Sequence, residues 1–244
     1  MNLISYGKRL KVAIIGNIAT SGSADVFLRK YLRILSLFSE SIYVISDWIF
    51  QPSDNKVKVI TSIRAITKRL VGKHSVIAKL IRFVLAQLII CVNLLGPARY
   101  VHVVIVFPIP MILPILLAKL MGKKVVLFAT AKVKVNFTPK EGLGGKFLTN
   151  TMELVKHIVF TLSDRIIVES SSLIYSLNLN KYRNKLDVGS TFVDIDFFRP
   201  HIDVNNRRKL VGYIGNLTES KGVKQFVKSI LLVLEKKLEV EFVI

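Results

Sequence analysis

The sequence predicts an α/β fold: a parallel sheet with helices on both faces, followed by the beginning of a second domain of the same kind. Three observations lead there. Short apolar runs of the buried-strand type alternate with longer segments of helical period, as βαβ units on a parallel sheet require. The composition then turns polar and charged from Asn180 to about Lys209. After that stretch a strand, a glycine turn and a helix start again at Leu210, and the sequence given closes at Ile244 after one such unit.

The elements follow in order. KVAIIGN (11–17) reads as the first strand. Phe27, Leu28, Tyr31, Leu32, Leu35 and Phe38 then recur at helical spacing, with Arg29, Lys30 and Arg33 on the other side, which predicts a helix laid on the sheet. SIYVIS (41–46) and KVKVI (56–60) are the next two strands. The stretch 75–95, SVIAKLIRFVLAQLIICVNLL, is the most apolar helical segment. Its uncharged part, Phe83 to Leu95, has thirteen residues, where a membrane span needs roughly twenty. It therefore predicts an amphipathic helix that packs on the sheet or rests among lipid headgroups, and Gly96 and Pro97 end it.

VHVVIVF (101–107) is a strand, and the prolines after it sort themselves by position. Pro108 and Pro110 suit a turn at the strand's carboxyl end, whereas Pro114 suits the first turn of the following helix. KVVLFA (124–129) and RIIVES (165–170) are further strands, and GLGGK (142–146) reads as a loop. The polar stretch places the division between domains after residue 205, giving 1–205 and 206–244. In the second part a helix is expected over 222–237 and a strand at VEFVI (240–244). A single βαβ unit cannot bury its own faces.

Charge is the most unusual property of the chain. The formal net charge is +20, and between Asp54 and Glu141 fifteen Lys and Arg residues stand without one Asp or Glu. Such a surface is drawn to polyanions or anionic membranes. Each cation that reaches an anionic leaflet adds on the order of 1 kcal/mol. No zinc-finger or RNA-binding aromatic signature accompanies the basicity, so nucleic acid is not an expected partner. One cysteine, Cys91, excludes an internal disulfide. MNLISYGKRLKVAII lacks the apolar run and cleavage site of a signal peptide, which makes the cytoplasm the expected compartment.

Two loops carry candidate chemistry. In GNIATSGSA (16–24), Ser21, Gly22 and Ser23 stand where a helix opens, and the free N–H groups of a helix start favour a phosphate or another anion. The spacing is not G-x-G-x-x-G, and a plain turn is the competing reading. In VGYIGNLTESKGVKQFV (211–227), Gly215 permits close backbone approach, Asn216 can donate a hydrogen bond, and Lys221 beside Gly222 can meet a pyrophosphate as a point charge. A solvated lysine on a turn is the alternative there. His74, His102, His157 and His201 are scattered without carboxylate or cysteine partners at ligand spacing, so no metal is expected, and His102 reads as structural. Ser170 to Ser172 lack the G-x-S-x-G elbow of a hydrolase.

Taken in order, SDRIIVES, KYRNKLDVGSTFVDIDFFRP and VGYIGNLTESKGVKQFV resemble the family-4 retaining glycosyltransferases of the GT-B fold, of the kind acting on lipid-linked or cell-envelope glycans. The resemblance is specific from Asp164 onward. It implies two Rossmann-like domains facing a cleft, with the acceptor on the first and the sugar nucleotide on the second. Ser21 and Gly22 map to the turn that touches donor phosphate or acceptor. Lys221 matches the lysine of a basic pair that grips the diphosphate, while Asn216 stands where an arginine is usual. Thr130 falls near the position of the usual histidine. The acidic motif that holds the donor sugar lies beyond Ile244 in these enzymes. The resemblance thus implies a fragment, inactive by itself, of a metal-independent hexosyltransferase, peripheral at the inner face of the cell membrane. It would need no cofactor, the nucleotide-sugar being a substrate. Two alternatives stand beside it: a GT-B nucleotide-sugar epimerase, and a non-catalytic basic module that binds membranes.

Overall fold

The computed structural model describes residues 10–16, 23–46, 54–62, 76–107, 111–129, 143–189, 199, 202–215, 217–236 and 239–243. The chain divides into two compact units, Met1–Thr191 and Phe192–Ile244.

Seven strands form the sheet of the first unit: β1 (Leu10–Gly16), β2 (Ser39–Ser46), β3 (Val57–Ser62), β4 (Val103–Val106), β5 (Lys124–Ala129), β6 (Arg165–Val168) and β7 (Leu186–Val188). Their order is β3-β2-β1-β4-β5-β6-β7, and every pairing is parallel. The helices are α1 (Ser23–Phe38), α2 (Val76–Leu95), α3 (Ile112–Leu120), α4 (Leu143–Leu162) and α5 (Ser171–Ser176). This is the Rossmann-like α/β architecture, with helices on both faces of the sheet.

The period of two in a strand divides the core into two layers. Val12, Ile14, Ile42, Val44, Ile105, Phe107 and Phe128 point to one face and pack under Leu28 and Leu32 of α1. Ala13, Ile15, Val104, Val106, Val125, Leu127, Ile166 and Val168 point to the other, beneath Ile90 and Leu94 of α2, Ile115 and Ala118 of α3 and Val159 of α4. Each fully buried Ile or Val contributes about 1.5–3 kcal/mol relative to exposure, so strands rich in both residues are held from two sides. On the α1 face Phe27, Tyr31, Phe107 and Phe128 form a four-ring cluster, with Phe107 and Phe128 stacked at 5.3 Å. Burial there pushes the Tyr31 hydroxyl up to about 12.

All six strands expected in the first unit are present, and β7 is an addition. It has only three residues and is recruited by pairing Leu186, Asp187 and Val188 with β6. Two other expectations are corrected. Residues 143–146 form the first turn of α4 rather than a loop. Glycines are tolerated at that position because first-turn N–H groups have no helical partner to lose, while the core contact of the helix comes later, at Val159. Phe38 is 70% exposed rather than sheet-facing. The chain passes from α1 straight into β2 at Ser39, and the last residue of the helix has left the sheet surface.

The helix ends follow the sequence. Gly96 N–H reaches Val92 O and Ala98 N–H reaches Asn93 O, closing α2 as Gly96 and Pro97 predict. Pro114 is the third residue of α3, within its first turn. The neighbouring Leu113 N–H, which has no partner inside the helix, donates to the buried Gln87 Oε1 at 3.1 Å. Burial also pushes the Cys91 thiol of α2 up. No described helix is long and apolar enough to cross a membrane.

The second unit contains β8 (Leu210–Gly212), α6 (Val223–Glu235) and β9 (Glu241–Val243), with β8 and β9 paired in parallel. Tyr213, Phe226 and Phe242 make a short chain of ring contacts between helix and strands. No described residue of this unit is buried. Ile214, Leu217, Val227, Leu231, Leu232 and Leu234 are all exposed, so the described strands and helix of this unit enclose no buried side chain.

Candidate functional site

In open α/β sheets ligands sit outside the carboxyl ends of the strands, at the point where strand order reverses. Here that point lies between β1 and β4, where Gly16 ends one strand and Phe107 follows the other. Phe107 N–H donates to Ile15 O at 3.0 Å. A Cβ added at Gly16 would stand 3.0 Å from the Phe107 Cβ, so glycine lets the two strand ends close together. Ser21 and Gly22 lie outside the described residues, and Ser23 is the first residue of α1. Thr130 also lies outside them, directly after Ala129 at the end of β5.

The loop of the second unit can be built residue by residue. β8 leads into Tyr213, whose N–H donates to Val243 O at 2.9 Å and whose hydroxyl makes a long 3.5 Å hydrogen bond to Lys221 O. A single 3-10 turn, Glu219–Lys221, follows, with Lys221 N–H bonded to Thr218 O at 3.0 Å. Gly222 then adopts φ 82° and ψ 15°, a left-handed conformation that glycine takes without strain. It closes the turn and caps α6 at once. The first bond of α6 runs from Phe226 N–H to Gly222 O at 2.9 Å. The N–H groups of Val223, Lys224 and Gln225 precede that bond and form the electropositive start of the helix.

Charges on this loop are unequally committed. Lys224 pairs with Glu219 at 3.1 Å, both largely exposed, a contact worth about 0–1 kcal/mol. Lys221 is exposed and has no ion-pair partner among the described residues. Gly215, Lys221 and Gly222 therefore share one strand–helix connection, in which the first-turn amides of α6 lie beside an exposed cation. Asn216 lies outside the described residues. Tyr213 escaped the sequence reading, although an aromatic between Gly212 and Gly215, facing another aromatic in the first turn of the helix, was the available signal.

Among the remaining candidates, His102, His157 and Ser170 have hydrogen-bond partners. His102 Nδ1 accepts the Lys11 N–H at 3.0 Å at the amino end of β4, far along the strand from the ligand edge. His157 is bonded to the Tyr182 hydroxyl and approached by Lys181 Nζ at 3.3 Å. His74 and His201 lie outside the described residues. Ser170 precedes α5, and its hydroxyl meets Ser172 at 2.8 Å. Among the described residues no group of three or more His, Cys, Asp or Glu is placed to hold a metal.

No protein-family profile and no curated protein sequence matches the chain. Solved structures do. Anabaena HepE in complex with UDP is 9% identical, with 96% of this chain and 68% of that one covered at a TM-score of 0.51. A UDP-N-acetylglucosamine 2-epimerase is 14% identical over 91% of this chain and 61% of its own, at 0.48. A glycosyltransferase from Rickettsia africae is 14% identical over 97% and 68%, at 0.46. The chain thus spans about three fifths of the length of the epimerase. At 9% identity the likeness to HepE is one of fold, and it agrees with the Rossmann-like sheet described above.

Proposed function

We propose that this chain serves the transfer of a hexose from a nucleotide-sugar to a lipid-linked or cell-envelope glycan, with retention of configuration and without a bound metal. The observation that carries this reading is the Gly215–Gly222 connection. The three first-turn amides of α6, which precede its first helical bond, and the exposed Lys221 ammonium, without an ion pair among the described residues, offer a diphosphate both hydrogen bonds and positive charge. Charge at the departing nucleotide is what such a transfer needs, because negative charge builds there as the glycosidic bond breaks. The likeness in fold to HepE, solved with UDP, supports the choice of a nucleoside diphosphate as the ligand. In this reading the acceptor belongs to the carboxyl edge of the first sheet, beside Gly16, Ser21 and Gly22.

Because no described residue of the second unit is buried, this unit is expected to hold its ligand weakly, and the 244-residue chain to bind donor feebly and turn over negligibly. Saturation-transfer NMR with UDP and UDP-hexoses tests the first part, and a radiolabelled transfer assay with lipid extract tests the second. Binding of the diphosphate that disappears in Lys221→Ala supports the reading. Equal signal from both proteins would overturn it. Release of an epimerised free sugar nucleotide without acceptor would assign the chain to epimerisation instead.

A further inference from the structure

The helices over the second face of the sheet leave an apolar surface uncovered. Ile81, Val84, Leu88, Val92 and Leu95 of α2 are all exposed, Val92 at 68%. Spaced three or four residues apart, they form one stripe along the helix, turned away from Gln87, Ile90 and Leu94, which are buried. The solvent face of a helix is ordinarily polar, and this stripe contains no charged residue. α3, which packs beside α2, repeats the pattern with Leu113, Leu116 and Leu120, the last 83% exposed. Tyr100, just past α2, is 71% exposed.

The charges around this face select its occupant. Arg99 follows α2 and Lys123 and Lys124 follow α3, within the long stretch that has no acidic residue. Asp164, the carboxylate beside them, is already held by Lys119 at 2.8 Å and Lys124 at 3.6 Å. A second copy of this chain docked by the same face would bring these like charges together. An anionic lipid surface satisfies both parts, the stripe entering the acyl boundary while the cations meet phosphates. An exposed tyrosine at the rim fits the headgroup level. We propose that the exposed α2–α3 face docks the protein on a membrane leaflet rich in anionic lipid. The inference stands on this face alone and does not depend on the transferase reading.

The test is co-sedimentation of the full chain with vesicles of phosphatidylcholine alone and of phosphatidylcholine mixed with phosphatidylglycerol. Binding is expected to the mixed vesicles and to fall with salt. The pair Leu88→Glu and Val92→Glu is expected to weaken it by about tenfold or more, since charge is expelled from the acyl boundary. Thermal unfolding should not change, because both side chains are exposed. Arg99→Gln and Lys123→Gln are each expected to weaken binding about fivefold. No sedimentation with either vesicle would overturn the proposal, as would equal binding by the native chain and the glutamate pair. A concentration-dependent dimer broken by the glutamate pair, without vesicle binding, would overturn it in favour of self-association.

Discussion

The Lys119 ammonium of α3 donates to both carboxylate oxygens of Asp164, at 2.9 and 2.8 Å, and so ties that helix to the turn opening β6. The same carboxylate accepts Val125 N–H at 2.8 Å. Partial burial pushes the carboxyl up, but the hydrogen bonds from Lys119 and Val125 and the charges of Lys119 and Lys124 outweigh it, and the group is held below the usual carboxylate range. Its contribution is therefore complete above the ordinary value of about 3.9 and is lost as pH falls through the lower folded value. Asp164→Asn is expected to cost about 1–2 kcal/mol at neutral pH. Urea midpoints measured from pH 7 to pH 3 should converge for the two proteins at the acid end.

Tyr31 gives the opposite limb. Burial raises its hydroxyl from 10.0 to about 12, so the unfolded chain ionises first and stability drains away as pH rises from 10 towards 12. The loss from this group is up to about 2–3 kcal/mol. Tyr31→Phe keeps the ring in its cluster and is expected to lack that part of the alkaline loss. Ultraviolet titration of the variant should lack the step at about 12, and a native-minus-variant stability difference that stays flat over the window would refute the assignment.

Lys185 closes α4 from outside the helix. Its ammonium donates to the carbonyls of Phe160, Thr161 and Ser163 at 3.3, 2.6 and 3.0 Å, where a cation also meets the negative end of the helix dipole. Lys185→Met is expected to cost on the order of 1–3 kcal/mol. Hydrogen exchange should quicken most in the last turn of α4, and Lys185→Arg should recover part of the loss.

Lys221 can be tested apart from stability, because its side chain is exposed and outside any described ion pair. Lys221→Ala is expected to raise the Kd for UDP about tenfold, the scale of one hydrogen bond to a charged group. The thermal midpoint of the first unit should not move. An unchanged Kd with a shifted midpoint would make the residue structural.

The sheet was legible in the sequence wherever a strand carries its own signal. β1 and β4 to β6 are dense in Ile and Val because both faces are covered, and the residues that mark them as strands are the ones that bury them. β7 was not legible, because Leu186 to Val188 are a strand only through their pairing with β6. The same division holds at the loop of the second unit. Gly222 is readable because its left-handed conformation is a local demand, whereas the reach of Tyr213 to Lys221 and Phe226 depends on the fold. Gln87 was missed for that reason too: its partner, Leu113, belongs to another helix.

The lack of any buried residue among the described residues of the second unit bears on what binding there would mean. A site whose competent conformation is only fractionally populated shows an apparent Kd raised by the inverse of that fraction. Any anion held at Lys221 then also organises the segment that holds it, and occupancy and local order form a single linked equilibrium. Whatever polypeptide covers Val227, Leu231 and Leu234 of α6 would relieve that cost and act as a positive heterotropic effector.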